Sequence, residues 1–175
     1  MDKKDFYKIY IKAHNNAVGL LSDAKTLFEK KKYPRAYFLA YTALEEISKS
    51  QLAADVYTEF IVEKDFWDKY RNHTSKINDI GWAHADANSY PYNYIWLGPD
   101  IDDVEATYPK EPLWEKRQNS LYIGIDKDDN IVVPENNITL EDAKEIIHIV
   151  DTALDRIIEI TEYFGNQIGS KGFLK

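Results

Sequence analysis

Residues 33–49 read YPRAYFLAYTALEEISK, and this stretch predicts a helix at the centre of a bundle. Pro34 suits the first turn of a helix, because its missing N–H would have no partner there. Small residues that let a neighbouring helix approach closely recur on one side: Ala36, Ala40, Ala43 and Ile47. Aromatic residues occupy the opposite side: Tyr37, Phe38 and Tyr41. A helix that is apolar nearly all round lies at the centre of a bundle or against a second subunit.

Three amphipathic segments flank this helix. The first runs from Asp5 to about Lys30, with apolar residues three and four apart: Tyr10, Ala13, Ala17, Leu20, Ala24 and Leu27. The next runs from about Glu63 to Gly81 and directs His73 inward along a row of apolar residues: Phe66, Tyr70, Ile77 and Ile80. The last begins at Thr139, a capping residue, and continues to about Phe164.

The two helical halves are separated by an insert at about residues 86–135, which begins with a stretch rich in Tyr, Trp, Pro and Asn. Its prolines predict irregular chain: Pro91, Pro99, Pro109 and Pro112. Near its end, apolar residues 121–125 and 131–133 surround the turn-forming residues 126–130, which predicts a small β-hairpin. We therefore expect a single, mainly α domain over residues 1–175: an antiparallel four-helix bundle with an inserted irregular segment and a small β-hairpin.

Composition limits the class of protein. The chain has 175 residues, the size of one ordinary domain, and lacks Cys, which excludes disulfides and thiolate metal sites. Its formal net charge of -8 repels a phosphate backbone and argues against nonspecific nucleic-acid binding as the main activity. The sequence contains neither a recognisable secretion signal nor a long apolar run, so we expect a cytoplasmic protein without a membrane partner.

The strongest candidate site is Glu45, Glu46 and Lys49, because charges set in an apolar helix are costly to bury unless they are paired or used. One interpretation is a carboxylate and an ammonium group fixed in a cleft between helices or subunits. The other is a solvated helix face on which Glu45 and Lys49 form an i,i+4 ion pair.

Two further groups are candidates. His73 titrates near neutrality and Lys76 would favour its neutral form, although a lone His on an apolar stripe is more often a hydrogen-bonded core residue. Arg117, with Asn119 and Tyr122, could bring a guanidinium group and a phenol to a phosphate or carboxylate ligand. Alternatively, Arg117 only tethers the hairpin.

The sequence does not match the residue spacing of common metal-binding and cofactor-binding motifs, so we expect no cofactor and no metal. Asp126, Asp128 and Asn130 match the start of an EF-hand loop, but Ile131 stands where Gly is needed and Asn137 where Glu is needed. A single E-x-x-H at Glu145 to His148 falls short of the two that a di-iron bundle requires.

The order of these segments resembles the AbiV family of bacterial abortive-infection proteins, which lies near the all-helical HEPN domains. The resemblance rests on several separated segments: residues 17–24, 33–40, 43–49, 73–76 and 117–122. Three of these segments carry sequence motifs: Ala-Leu-Glu-Glu-x-x-Lys and His-x-x-Lys in predicted helices, and Arg-x-x-x-Leu-Tyr leading into the predicted hairpin. The resemblance implies a HEPN-like bundle and a homodimer.

The resemblance also implies a role in phage defence. Such a protein helps to arrest an infected cell by acting on RNA or the translation machinery when a phage protein activates it. The alternative is a noncatalytic interaction bundle that senses a phage or translation-related partner. HEPN ribonucleases carry an Arg four to six residues before a His, but here Arg71 precedes His73 by two positions. Whether the chain is an enzyme is therefore open, and the candidate catalytic cluster becomes Glu45, Glu46, Lys49, His73 and Lys76, with Arg117, Asn119 and Tyr122 for binding.

Overall fold

The computed structural model describes residues 1–59, 61–71 and 113–163, and within the last range the side chains of residues 116–155. These parts are mainly helical with one small antiparallel sheet, which confirms the predicted fold class.

Two long helices form the base of the fold. Helix α1 spans Lys3–Glu29 and begins at Asp2, whose carboxylate accepts a hydrogen bond from the Lys4 backbone N–H. Helix α2 spans Tyr33–Tyr57, with Pro34 in its first turn as predicted. The turn between the helices is tight, and Lys31 adopts a left-handed backbone with φ of 58°. The two helices therefore lie antiparallel along each other.

Helix α2 is the centre of the described structure, because it contacts every other helix. Its predicted small side is fully buried: Ala36, Ala40, Ala43 and Ile47. Small side chains of α1, Ala17 and Ala24, are buried in the same core. This pattern lets the helix axes approach closely, as the sequence predicts.

The C-terminal helix completes the main core. We label the helix Leu140–Tyr163 α6, because three shorter helices precede it. Its start is fixed by reciprocal hydrogen bonds: Thr139 Oγ1 accepts from the Asp142 N–H, and Asp142 accepts from the Thr139 N–H. Five of its buried apolar side chains belong to the core formed with α1 and α2: Ala143, Ile146, Val150, Ala153 and Leu154.

A second core lies at the other end of α2. Helix α3 spans Glu63–Tyr70 and places Phe66 against Phe6 of α1, with ring centroids 5.1 Å apart in an edge-to-face contact. Leu52 of α2 packs in the same cluster. Arg71 is the C-cap of α3, and the predicted continuation of this helix to Gly81 lies outside the described residues.

The remaining elements are short. Helix α4 spans Leu113–Asn119, strand β1 Gly124–Ile125, strand β2 Ile131–Val132, and helix α5 Pro134–Asn137. The two strands pair antiparallel, which confirms the predicted hairpin. Helices α4 and α5 were not predicted from the sequence, and the rest of the insert before α4 lies outside the described residues.

Candidate functional site

One face of α2 is less completely buried than the rest of the helix. Arg35 is exposed, whereas Phe38, Thr42, Glu46 and Lys49 are half-buried. Their spacing of three or four residues places them in one row along the helix. We call this row the α2 stripe, and Glu45 borders it as a buried neighbour.

Arg117 of α4 lies over the middle of the α2 stripe. Its guanidinium carbon is 4.8 Å from the ring centroid of Phe38 and 5.9 Å from that of Tyr41, which are cation–π distances. Its Nη2 atom is 4.0 Å from Oε2 of Glu45, and the two side chains are only 15% and 6% exposed. Because both side chains are sheltered from water, their charges interact more strongly than they would at an open surface.

A second ion pair lies one turn further along the stripe. Lys49 donates a hydrogen bond to Glu46, three residues earlier on α2. The Lys49 ammonium group is also 5.4 Å from the ring centroid of Tyr70 and so joins α2 to the end of α3. One interpretation of the sequence gave Lys49 an i,i+4 ion pair with Glu45, whereas the ion pair seen for Lys49 is with Glu46. Among the described residues Lys49 pairs with Glu46, because the helix brings these side chains together and Arg117 takes Glu45.

Two buried hydroxyl groups belong to the same helix as Glu45, Glu46 and Lys49. The Tyr41 hydroxyl and Ser48 Oγ have no hydrogen-bond partner within the described part of the chain. Burial raises the pKa of the Tyr41 phenol well above its usual range, Glu45 adds to this, and the Arg117 guanidinium opposes it. The phenol is therefore neutral and can still donate a hydrogen bond to an anionic group.

Helix α4 is attached to the bundle by a second cation. Lys116 donates a 2.5 Å hydrogen bond to Asp142 at the start of α6. Burial raises the pKa of Asp142, but hydrogen bonds from Lys116 and Thr139 outweigh it, so the net pKa is below its usual value. Two successive cations, Lys116 and Arg117, thus hold α4 against two different helices.

The two other predicted binding residues lie beyond Arg117. The Asn119 side chain lies beneath the hairpin, with Oδ1 3.8 Å from the position that a Cβ atom would take at Gly124. Tyr122 is 57% exposed and projects from the segment that leads into β1. Asn119 therefore supports the hairpin, whereas Tyr122 is free to reach a ligand or partner.

The structure brings together only part of the predicted cluster. Glu45, Glu46 and Lys49 lie next to one another, and Arg117 joins them. His73 and Lys76 lie outside the described residues, so their place in this site stays a prediction. Sequence reasoning missed Phe38 and Tyr41 as contacts of the Arg117 guanidinium group. The aromatic side of α2 was the only signal for these two contacts.

The described residues give no support for other site classes. None of the helices within them is long and apolar enough to cross a membrane. No group of three His, Asp or Glu side chains converges as a metal-ligand set in residues 1–59, 61–71 and 113–163. In the hairpin turn, Asp126 accepts hydrogen bonds from the backbone N–H groups of Asp128 and Asn130, which shape the turn itself.

A central helix surrounded by other helices, with one small two-stranded hairpin, is consistent with a HEPN-like helical fold. The family model described as AbiV (HEPN_AbiV) matches residues 6–155, and the chain therefore belongs to the AbiV family. This membership indicates a role in abortive infection, a form of phage defence. No curated protein and no solved structure matches the chain.

Proposed function

We propose that this protein is a dimeric abortive-infection effector that cleaves RNA at the α2 stripe. The observation that carries the proposal is the Glu46–Lys49 ion pair, half-buried on the central helix beside the buried Glu45–Arg117 pair. Charged groups in such shelter interact more strongly than at an open surface. Arg117 and the neutral Tyr41 phenol add hydrogen-bond donors that suit a phosphate group.

The two ion pairs have different roles in this proposal. Glu45 is the most buried of the four charged groups, and together with Arg117 it positions α4 and presents the guanidinium group to a phosphodiester. Glu46 and Lys49 perform the proton transfers. As the RNA 2′-oxygen bonds to phosphorus, Glu46 accepts the 2′-hydroxyl proton. As the bond to the 5′-oxygen breaks, Lys49 donates a proton to that oxygen, leaving a cyclic phosphate and a 5′-hydroxyl.

His73 and Lys76 enter this proposal from the sequence alone, as a second imidazole and ammonium donor to the same cluster. A phage protein is the proposed activator. Because the net charge of -8 repels a phosphate backbone, the proposal requires RNA to bind at one local site. Arrest of translation in the infected cell would follow from the loss of RNA.

The test is RNA cleavage by the purified protein, with and without a phage-derived activator. We expect wild type to cleave total RNA, and Lys49→Ala and His73→Ala to lose about a hundredfold or more of the rate. Lys25→Ala is the matched control, because Lys25 forms an exposed ion pair between α1 and α6, with Asp151, and touches none of the proposed site residues in the described structure. Intact RNA under every condition would rule out the catalytic proposal.

A noncatalytic interaction bundle is the second candidate. It is favoured by the fact that Arg117 and Lys49 are each already paired with a carboxylate. In that case the aromatic insert from Tyr90 to Trp114 captures a phage or translation-related protein. A pulldown from infected cells separates the two: Trp96→Ala and Trp114→Ala would abolish capture and defence, whereas His73→Ala would leave both intact.

A further inference from the structure

The outer face of the hairpin is the most exposed apolar surface in the described structure. Ile125 and Ile131 are register partners, so they share one face of the sheet, and Ile123 lies two residues before Ile125. The three side chains are 73%, 73% and 72% exposed. Contiguous exposed apolar side chains of this kind mark binding sites in soluble proteins.

The opposite face of the hairpin packs against the helical part of the structure. Gly124 lies over the Asn119 side chain of α4, and its register partner Val132 is half-buried. The hairpin thus rests on the bundle by one face and presents its isoleucines to solvent. Within the described residues β1 and β2 pair only with each other, so each strand has an outer edge that can accept another strand.

The surroundings of this face are acidic. Residues 121–142 hold one lysine, Lys127, and six carboxylates: Asp126, Asp128, Asp129, Glu135, Glu141 and Asp142. Asp142 pairs with Lys116 and Asp126 is held by Asn130, but Asp128, Asp129 and Glu135 are exposed and form no ion pair with other described residues. An acidic border repels RNA and attracts a basic protein segment.

We propose that the hairpin docks an extended protein segment in which apolar and basic residues alternate. The segment adds a strand to an edge of the hairpin through main-chain hydrogen bonds. Its apolar side chains cover Ile123, Ile125 and Ile131, and its Lys or Arg side chains meet Asp128, Asp129 and Glu135. This surface lies apart from the α2 stripe, so the inference stands whether or not the stripe cleaves RNA.

Fluorescence anisotropy with a labelled Lys-Ile-Lys-Val-Lys-Ile-Lys peptide tests the proposal on the full chain. We expect saturable binding that weakens at least about tenfold when Ile123→Ser, Ile125→Ser and Ile131→Ser are combined. Val18→Ser is the control, because Val18 is an exposed apolar residue on α1. A Glu-Ile-Glu-Val-Glu-Ile-Glu peptide should not bind, and a peptide with prolines at alternate positions should bind weakly.

Three outcomes would overturn this inference. If the lysine peptide binds equally to wild type and to the triple Ser variant, its binding is due only to general attraction by the net negative charge. If the peptide does not bind at all, the site is excluded. A wild-type dimer that the triple variant makes monomeric would assign this face to a second copy of the chain instead. Matching thermal midpoints for wild type and variant are expected, since the three side chains are exposed.

Discussion

Two buried serines of α2 allow the contribution of one hydroxyl hydrogen bond to the free energy of unfolding to be predicted. Ser50 Oγ donates a 2.8 Å hydrogen bond to the Ile47 carbonyl and accepts one from Gln51, whereas Ser48 Oγ has no partner among the described residues. Both side chains are buried, and replacement by Ala adds the same helix propensity, about 0.5 kcal/mol. We therefore expect Ser50→Ala to lower the free energy of unfolding by about 1 kcal/mol relative to Ser48→Ala.

Urea unfolding of the two variants measures this difference directly, provided that the slope with urea is the same in both. Ser48→Ala should be neutral or stabilising compared with wild type. If Ser48→Ala costs as much as Ser50→Ala, the Ser48 hydroxyl group is hydrogen-bonded in solution.

At the scale of elements, Asp142 links α4 to α6. Its carboxylate accepts hydrogen bonds from Lys116 and from Thr139, and the pKa of Asp142 is lowered below its usual value of 3.8. A carboxyl group whose pKa is lower in the folded than in the unfolded state stabilises the folded state at pH values above the unfolded pKa. This stabilisation is lost as the pH falls below about 3.8 and through the folded pKa.

Asp142→Asn should therefore lower the free energy of unfolding by about 1–2 kcal/mol at neutral pH, and the difference from wild type should shrink as the pH falls below about 4. Chemical unfolding at a series of pH values measures it. Asp151→Asn is the control, because the Lys25–Asp151 pair is about half exposed and should contribute little. A difference for Asp142→Asn that stays constant down to low pH would contradict the role of its charge.

The long helices and the hairpin could be predicted from the sequence, because the apolar residues of each element recur at a characteristic spacing. Helices α1, α2 and α6 repeat apolar residues every three or four positions, and the hairpin alternates about an Asp-rich turn. Helix α4 has only seven residues and no such repeat, so nothing marked it. The ion-pair partners were harder to predict. Spacing along the helix suggested Lys49 as the partner of Glu45, whereas in the fold Glu45 pairs with Arg117, which lies far along the chain. One sequence cannot specify such distant contacts.

At the scale of the molecule, α2 is surrounded by the other described helices, and the stripe is its least buried face. It touches all other described helices, yet Phe38, Thr42 and Glu46 stay only half-buried. A half-buried face on the central helix is suited to a second copy, packed by two-fold symmetry so that the same residues meet. Such packing would bring two sets of Glu46 and Lys49 to one interface, in keeping with the dimer that we propose.

Thr42 provides the test of this dimer. Its hydroxyl bonds only to the Phe38 carbonyl of its own helix, so the side chain makes no polar link to another element in the described structure. Thr42→Arg should bring like charges together across a two-fold interface and convert a dimer to a monomer in sedimentation. Thr26→Arg is a matched control, because Thr26 bonds to the Ser22 carbonyl in the same way on an exposed face of α1 and should leave the dimer intact. With unchanged thermal unfolding, a Thr42→Arg protein that remains dimeric would place the interface elsewhere, and a monomeric wild type would exclude the dimer altogether.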